Sequence, residues 1–348
     1  MIKISIGSHT ISDKHPVCFV AEVGAFFNKD IKLACDYIDL AAQAGVDFFK
    51  TEILHTADVV LASDEVKLVY QTASGPVTEN YRAFIERKVM SLDSYDQLFE
   101  HGQKRGLSLM ATVFDSIGVD FLVRHKASAI KISRNNVNHE PLIRYAAQSG
   151  LPIIFDLGDV PLWVAQRALY WVQSEGGAAM FNYHPAKNPA SAADHHLTLI
   201  PWLKSCLKTP IGLSCHYRGD EILYASIGAG VNLIEKGIDA DPNRKEADLV
   251  SAASFIELEK IVQKCKRCSE AMGSADLVVQ EERLDGVRVG VTATKDLKEG
   301  DVLSLSNVHF SWPPKGISPE YWFIVCGRRV RKAVKQGEPV TWGNIFDE

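Results

Sequence analysis

FVAEVGAFFNKDIKLACDYIDLAAQAGVDFFKTEIL, residues 19–54, carries a strand, a helix and a second strand in one run. The apolar run 18–21 stops at Glu22, and Gly24 lets the backbone turn directly after it. Asp30 is placed to cap a helix in which Ile31, Ala34, Cys35, Ile38, Ala41 and Ala42 recur at helical spacing, and Gly45 closes it. A second apolar run, 46–49, ends at Lys50. Two successive strands that finish in a carboxylate and an ammonium, joined by a crossover helix, match the way a closed (β/α) barrel sets chemical groups on its C-terminal face. The plainer alternative is a surface Glu and Lys that merely end two strands.

The rhythm repeats along the chain. Strand patterns at 108–112, 129–133, 151–156, 178–182, 210–214 and 231–235 alternate with helical patterns at 94–105, 116–125, 141–149, 160–174, 197–207 and 219–228. A long helix over 247–272 is placed to close the ring. Eight strand candidates separated by helices, with polar residues gathered after the strands, predict a (β/α)8 TIM barrel over residues 1–273. No Gly-rich phosphate loop follows the first strand, which counts against a dinucleotide fold. Residues 2–11 read as a hairpin turning at Gly7-Ser8 beneath the barrel. Residues 55–79, rich in turn and polar types, read as an irregular loop, long for a strand-to-helix connection and so a candidate substrate loop. After Gly273 the pattern changes to short alternating runs and turns such as Lys298-Glu299-Gly300, so residues 274–348 are expected to form a small β-rich domain.

Composition sets the outer limits. A net charge of −5 with no basic stripe argues against nucleic acid as a partner. At 46% hydrophobic residues, without an apolar run of about 18, the pattern is that of a globular protein with no membrane span. The first residues, MIKISIGSHTIS, lack the charged and apolar regions of a secretion signal, so a cytoplasmic location is the expectation. Seven cysteines, an odd count, fit reduced thiols better than a disulfide framework. Cys265 and Cys268 form a lone CxxC with no second pair, which is a poor zinc signal.

Several motifs, in order, carry a resemblance across essentially the whole chain. AEVG, the strand end FK at Phe49-Lys50, ATVFD at 111–115, KIS at 131–133, GLSCH at 212–216, IEK at 234–236, and the later TKDLKEGDVL and PPKGISPEYW are similar to the N-acetylneuraminate (sialic acid) synthase family. The last stretches resemble its C-terminal antifreeze-like (SAF) domain. The resemblance implies condensation of phosphoenolpyruvate with an N-acylated amino sugar, with C–O cleavage of the enol phosphate and a divalent metal, manganese or magnesium, polarising the aldehyde. It also implies a domain-swapped homodimer in which one chain's SAF domain covers the partner's barrel mouth.

Carried over residue by residue, Lys50 and Lys131 match the cations that hold phosphoenolpyruvate, and Asn182 and Ser214 match groups that complete its hydrogen bonds. Thr112 falls within the ATVFD motif and joins the substrate-binding candidates. Glu22 matches the acid near the amino sugar, Asp248 a further sugar-contacting acid, and His216 a metal ligand, a role that suits neutral imidazole. As a strand-end side chain, Lys131 is expected to add little to stability.

The departures fall at the same place. Glu52 stands where the family has an amide, close to the anionic substrate. Arg134 and Asp156 replace phosphate-contacting serines, so Arg134 is either a bidentate phosphate ligand or the ion-pair partner of Asp156. His184 replaces a tyrosine, Trp312 replaces a sugar-contacting arginine, and Gly237 replaces the second metal-ligand histidine. Three functions therefore stay open: a divergent synthase, a non-condensing barrel that binds a partner, and a pyruvate-type aldolase or lyase that releases no phosphate.

Overall fold

The computed structural model describes residues 3–61, 63–72, 74–239, 247, 249–273 and 288–346. Two antiparallel strands, β1 (Lys3–Ile6) and β2 (His9–Ser12), come first. They are followed by β3 (Cys18–Gly24), β4 (Phe48–Glu52), β5 (Lys67–Thr72), β6 (Gly75–Asn80), β7 (Ser108–Thr112), β8 (Ile130–Ile132), β9 (Ile153–Asp156), β10 (Ala179–Tyr183), β11 (Ile211–Cys215) and β12 (Leu233–Asp239). The strands β3, β4, β7, β8, β9, β10, β11 and β12 pair in that order, all parallel, and the β12–β3 pairing closes the ring. This is a (β/α)8 TIM barrel.

Strand alternation sorts the barrel into layers. Val20, Phe48, Met110, Ala129, Ile154, Met180 and Leu233 pack as one apolar cluster with Ile4, Ile6 and Ile11 of the first hairpin. Two residues further along the same strands stand Glu22, Lys50, Thr112, Lys131, Asp156, Asn182 and Glu235. Because side chains on a strand repeat every second residue, an apolar floor at one level fixes a polar layer at the next. The hairpin covers the end of the barrel away from that layer. A larger apolar shell lies between strands and helices, where Phe19, Phe49, Leu109, Phe155 and Leu213 meet Tyr37, Leu98, Phe121 and Leu223.

The helices form for local reasons. Helix α1 (Ile31–Gln43) is capped by the Asp30 carboxylate, which accepts from the Leu33 amide at 3.0 Å, and its Ala34, Tyr37, Ile38 and Ala41 face is buried. After the short α2 (Tyr81–Glu86), α3 (Leu92–Lys104) is capped by Ser91 and α4 (Ser116–Arg124) by Asp115. The ring continues through α5 (Glu140–Gln148), α6 (Leu162–Ser174), α7 (Leu199–Leu207) and α8 (Glu221–Gly228). Two expectations change. The stretch expected to be an irregular loop contains the β5–β6 hairpin, its Tyr70 and Leu68 packed on the barrel core. The closing helix α9 runs only from Phe255 to Met272, because a 3-10 turn at Leu249–Ser251 and a two-residue strand, β13 (Ala253–Ser254), paired to β12, come first.

The chain folds as two compact units, Met1–Gly273 and Ser274–Glu348. The second is built on β14 (Gly290–Ala293) antiparallel to β15 (Val308–Ser311) and has its own core of Val291, Leu297, Leu303, Val325, Val330 and Val340. Its surface displays Trp312, Tyr321 and Phe323, whereas Trp322 packs edge-on against Phe310.

Candidate active site

The polar layer is one connected network. Lys50 Nζ donates to Glu22 Oε1 at 3.1 Å and lies 3.3 Å from Glu235 Oε1, while Lys131 Nζ lies 2.7 Å from both Glu235 Oε2 and Asp156 Oδ1. Glu235 thus gives one oxygen to each lysine. Asn182 Nδ2 donates to Glu235 Oε2 at 3.1 Å and to Ser214 Oγ at 3.2 Å, and Ser214 Oγ donates to Asp156 Oδ1 at 3.3 Å. Gly212 makes this possible, since a Cβ there would stand 2.2 Å from Asn182 Oδ1. That oxygen is buried and accepts no hydrogen bond among the described residues.

Charge sets the protonation states. Burial alone would lower the Lys50 pKa, but Glu22, Glu235, Glu52 and Asp156 outweigh it and hold the ammonium above the usual lysine range. Burial likewise pushes the Glu235 carboxyl up, and Lys131 and Lys50 overcome it, bringing it down to about 2. Lys50 is therefore a fixed cation and Glu235 a fixed anion.

Above the network lies a cavity of about 350 Å3 lined by Glu22, Lys50, Glu52, Arg134, Asp156, His184, Lys187, Ser214, His216 and Glu235. Most of the residues singled out in the sequence do meet here. Lys131 and Asn182 are fully buried beneath it, covered by Asp156, Ser214 and Glu235, so Lys131 braces the floor in place of facing the cavity. Thr112 is buried beside Lys131 on the neighbouring strand, and its carbonyl accepts from the Ile53 amide. Of the two roles left open for Arg134, pairing with Asp156 is not what the structure shows: Asp156 is engaged by Lys131, and Arg134, in the cavity lining, sits 3.8 Å from the exposed Asp159. Trp312 stands exposed on the second unit, and Asp248 lies outside the described residues.

Glu235 is the site residue that strand-end reading missed. A signal was present, because Leu233, two residues earlier, belongs to the floor, and the same offset leads from Val20 to Glu22 and from Phe48 to Lys50. Its outward neighbour Lys236 is also buried, which lowers its pKa, and it donates to the carbonyls of Tyr217 and, at 3.4 Å, Gly219. The loop that follows His216 is thereby tied to β12.

The donor set does not fit a metal held by two imidazoles. His184 and His216 meet edge to face with ring centres 5.7 Å apart, but among the described residues no group of three or more His, Cys, Asp or Glu is arranged to hold an ion. At Gly237, opposite Glu22 in register, a Cβ would stand 3.8 Å from Glu22 Oε2, so space exists where the second histidine is missing.

A parallel barrel with a lysine–carboxylate floor, followed by a small β-rich unit, defines a barrel enzyme fold with an appended domain. Residues 37–276 match the NeuB family and residues 288–345 the SAF domain, and the chain belongs to the NeuB family. It is 25% identical to the N,N'-diacetyllegionaminic acid synthase of Legionella pneumophila over 94% of each chain. It is 24% identical to a pseudaminic acid synthase of Campylobacter jejuni, over 98% of this chain and all of that one. In fold it resembles the N-acetylneuraminic acid synthetase of Leptospira borgpetersenii, with a TM-score of 0.73 at 24% identity, covering 82% of this chain and 95% of that one.

The buried position of Lys131 overturns the expectation that it adds little to stability. Lys131→Ala leaves Asp156 without a cation and Glu235 with Lys50 alone, and should cost about 3–5 kcal/mol of unfolding free energy. Adding Glu235→Gln should return part of that loss. Chemical denaturation measures both, and a single variant as stable as the parent would remove Lys131 from the framework.

Proposed function

We propose that this chain condenses phosphoenolpyruvate with an N-acylated amino sugar, or a similar aldehyde, to give a nonulosonic-type 2-keto acid and phosphate. The observation that carries the reading is that Lys50 and Arg134 line one cavity whose floor is braced by Lys131, in a chain of the NeuB family. The methylene carbon of the enol phosphate forms the new bond to the aldehyde carbon. Water then supplies the keto oxygen as the C–O bond to phosphate breaks. Lys50 offers a fixed positive charge to the carboxylate or phosphate, Arg134 a planar donor pair at the rim, and Glu22 a carboxylate for sugar hydroxyls. Among the described residues the donors do not complete a metal site, so a fixed cation is proposed to polarise the aldehyde.

One contact favours a second reading. Asp156, 2.7 Å from Lys131, puts a carboxylate where a phosphate would need that charge, which suits a pyruvate-type aldolase or lyase without phosphate release. Following phosphate and 2-keto acid together, with phosphoenolpyruvate and a panel of acylamino sugars, separates the two. Equal release of both products from phosphoenolpyruvate is expected, and a parallel reaction in which pyruvate replaces phosphoenolpyruvate and the sugar is still extended to a longer 2-keto acid would select the second. Asp156→Ser removes the competing charge and should tighten phosphoenolpyruvate by about tenfold in calorimetry. Unchanged affinity would show that the anion does not sit near Lys131.

Two further properties are proposed with the function. Divalent metal is bound weakly, through His216 with water and substrate oxygens, or not required; stoichiometric manganese surviving chelator and dialysis would reject this, and Gly237→His should raise metal affinity. The protein is a domain-swapped homodimer whose SAF aromatics, Trp312, Tyr321 and Phe323, cover the partner's barrel mouth. Light scattering at micromolar concentration should return twice the chain mass, and a monomer would count against the swap.

A further inference from the structure

A second cavity, of about 520 Å3, adjoins the first, and residues 184–187 line both. His184 of that shared wall stands against Gly158, where a Cβ would lie 2.1 Å from the ring's Cε1. The lining of the second cavity is mixed. Apolar surface comes from Leu162 at the start of α6 and from Leu199, Trp202 and Leu203 of α7, with the Trp202 indole half-exposed. Polar groups come from Tyr183, Asp159, Lys187, Asp194 and His196.

Tyr183 is the group that calls for a ligand. Asn182 belongs to the layer inside the barrel, so the next residue along β10 turns the other way and packs its ring in the shell between strands and helices. Tyr183 is only 9% exposed, and its hydroxyl has no hydrogen-bond partner among the described residues. Yet that hydroxyl is not one of the polar atoms sealed from solvent, so it opens onto the cavity that Tyr183 lines. Burial and the charge of Asp159 push the phenol up, which keeps it protonated at neutral pH and able both to donate and to accept.

The surrounding charges narrow the choice of ligand. Lys187 is bound to Asp194, which also accepts from the Ser191 amide at 2.9 Å and from the Ser191 hydroxyl at 2.6 Å. A strongly anionic ligand would therefore find this lysine already engaged. Asp159 is exposed to solvent and lies 3.8 Å from Arg134, so its pull on an organic cation is screened and shared. A hydrocarbon would cover the Tyr183 hydroxyl without bonding to it, at the cost of an unmade hydrogen bond. A polyhydroxylated ring answers both surfaces, with a C–H face for the indole and hydroxyls around its edge for Tyr183 and Asp159.

We infer that the second cavity is a pyranose-binding subsite, distinct from the charged well, in which a neutral sugar ring lies with its C–H face on Trp202 and bonds through its hydroxyls to Tyr183 and Asp159. Because residues 184–187 line both cavities, the ring is either the distal unit of a saccharide whose reducing end enters the well or a separate sugar. The two sources offer the subsite the same chemistry.

Isothermal titration of the full-length protein tests this with methyl glycosides of neutral hexoses and N-acetylhexosamines, and with reducing disaccharides that end in an N-acetylhexosamine. A methyl glycoside has no free aldehyde, so it reports binding without any turnover. At least one member of the panel should bind, and Tyr183→Phe, which keeps the ring, and Trp202→Ala should each weaken it about tenfold. Trp163→Ala, an exposed tryptophan of α6 outside the cavity, should leave affinity unchanged. A disaccharide that binds about tenfold more tightly than the methyl glycoside assigns the ring to the distal unit of the acceptor, an assignment that alone rests on the acylamino-sugar reading. Equal affinities assign it to a separate sugar, and the subsite stands in both cases, with or without condensation. No binding by any member of the panel, or binding that either Tyr183→Phe or Trp202→Ala leaves unchanged, would overturn the inference.

Discussion

The ammonium groups of Lys50 and Lys131 are buried in one polar layer, and Glu235 lets them coexist by turning one oxygen to each. Taking such ions out of water costs several kcal/mol apiece, so the lysines persist at this depth only because carboxylates from other strands meet them. Lys50 reaches back to β3, Lys131 across to β9, and both to β12. The polar layer therefore joins strands that lie far apart around the ring. Five charges in contact, two positive and three negative, leave the layer with an excess of negative charge. Asp156 supplies one of the three negative charges and lies against Lys131, so its carboxylate competes with any anion for that ammonium.

Much of this was legible in the sequence through spacing. The run 19–54 showed a strand ending near Glu22, a capped helix and a strand ending near Lys50, and those elements stand in the structure with Glu22 and Lys50 in register. The closed barrel followed from the repeated alternation, because each apolar run was too short for a helix and each helical run long enough for a crossover. Family motifs fall at or just past strand ends, at the same end of the barrel as the polar layer.

What escaped the sequence is pairing between distant residues. Glu235 and Lys131 are 104 positions apart, and local spacing says nothing about which carboxylate a buried lysine will meet. Asp156 and Arg134 looked like partners, being opposite charges on successive strand ends; the more deeply buried Lys131 takes Asp156, and Arg134 at the rim turns to Asp159. The β5–β6 hairpin was hidden because Gly75-Pro76 and the surrounding polar residues read as loop, while only Leu68 and Tyr70 among its side chains pack inward on the barrel core. Gly158 and Gly212 gave no sign either, as a glycine's use as clearance appears only when a neighbouring ring or amide occupies the space.

The apolar floor of Ile4, Ile6, Ile11, Phe48, Met110 and Leu233 has a consequence for traffic. It makes the barrel a blind well, with no passage through to the hairpin side. Under the proposed function, a molecule that settles against Lys50 arrives before the one that occupies the rim at Arg134 and His184, and departs only after the rim is cleared. Order of arrival and departure is thus imposed by the depth of the well, independent of how tightly either molecule is held.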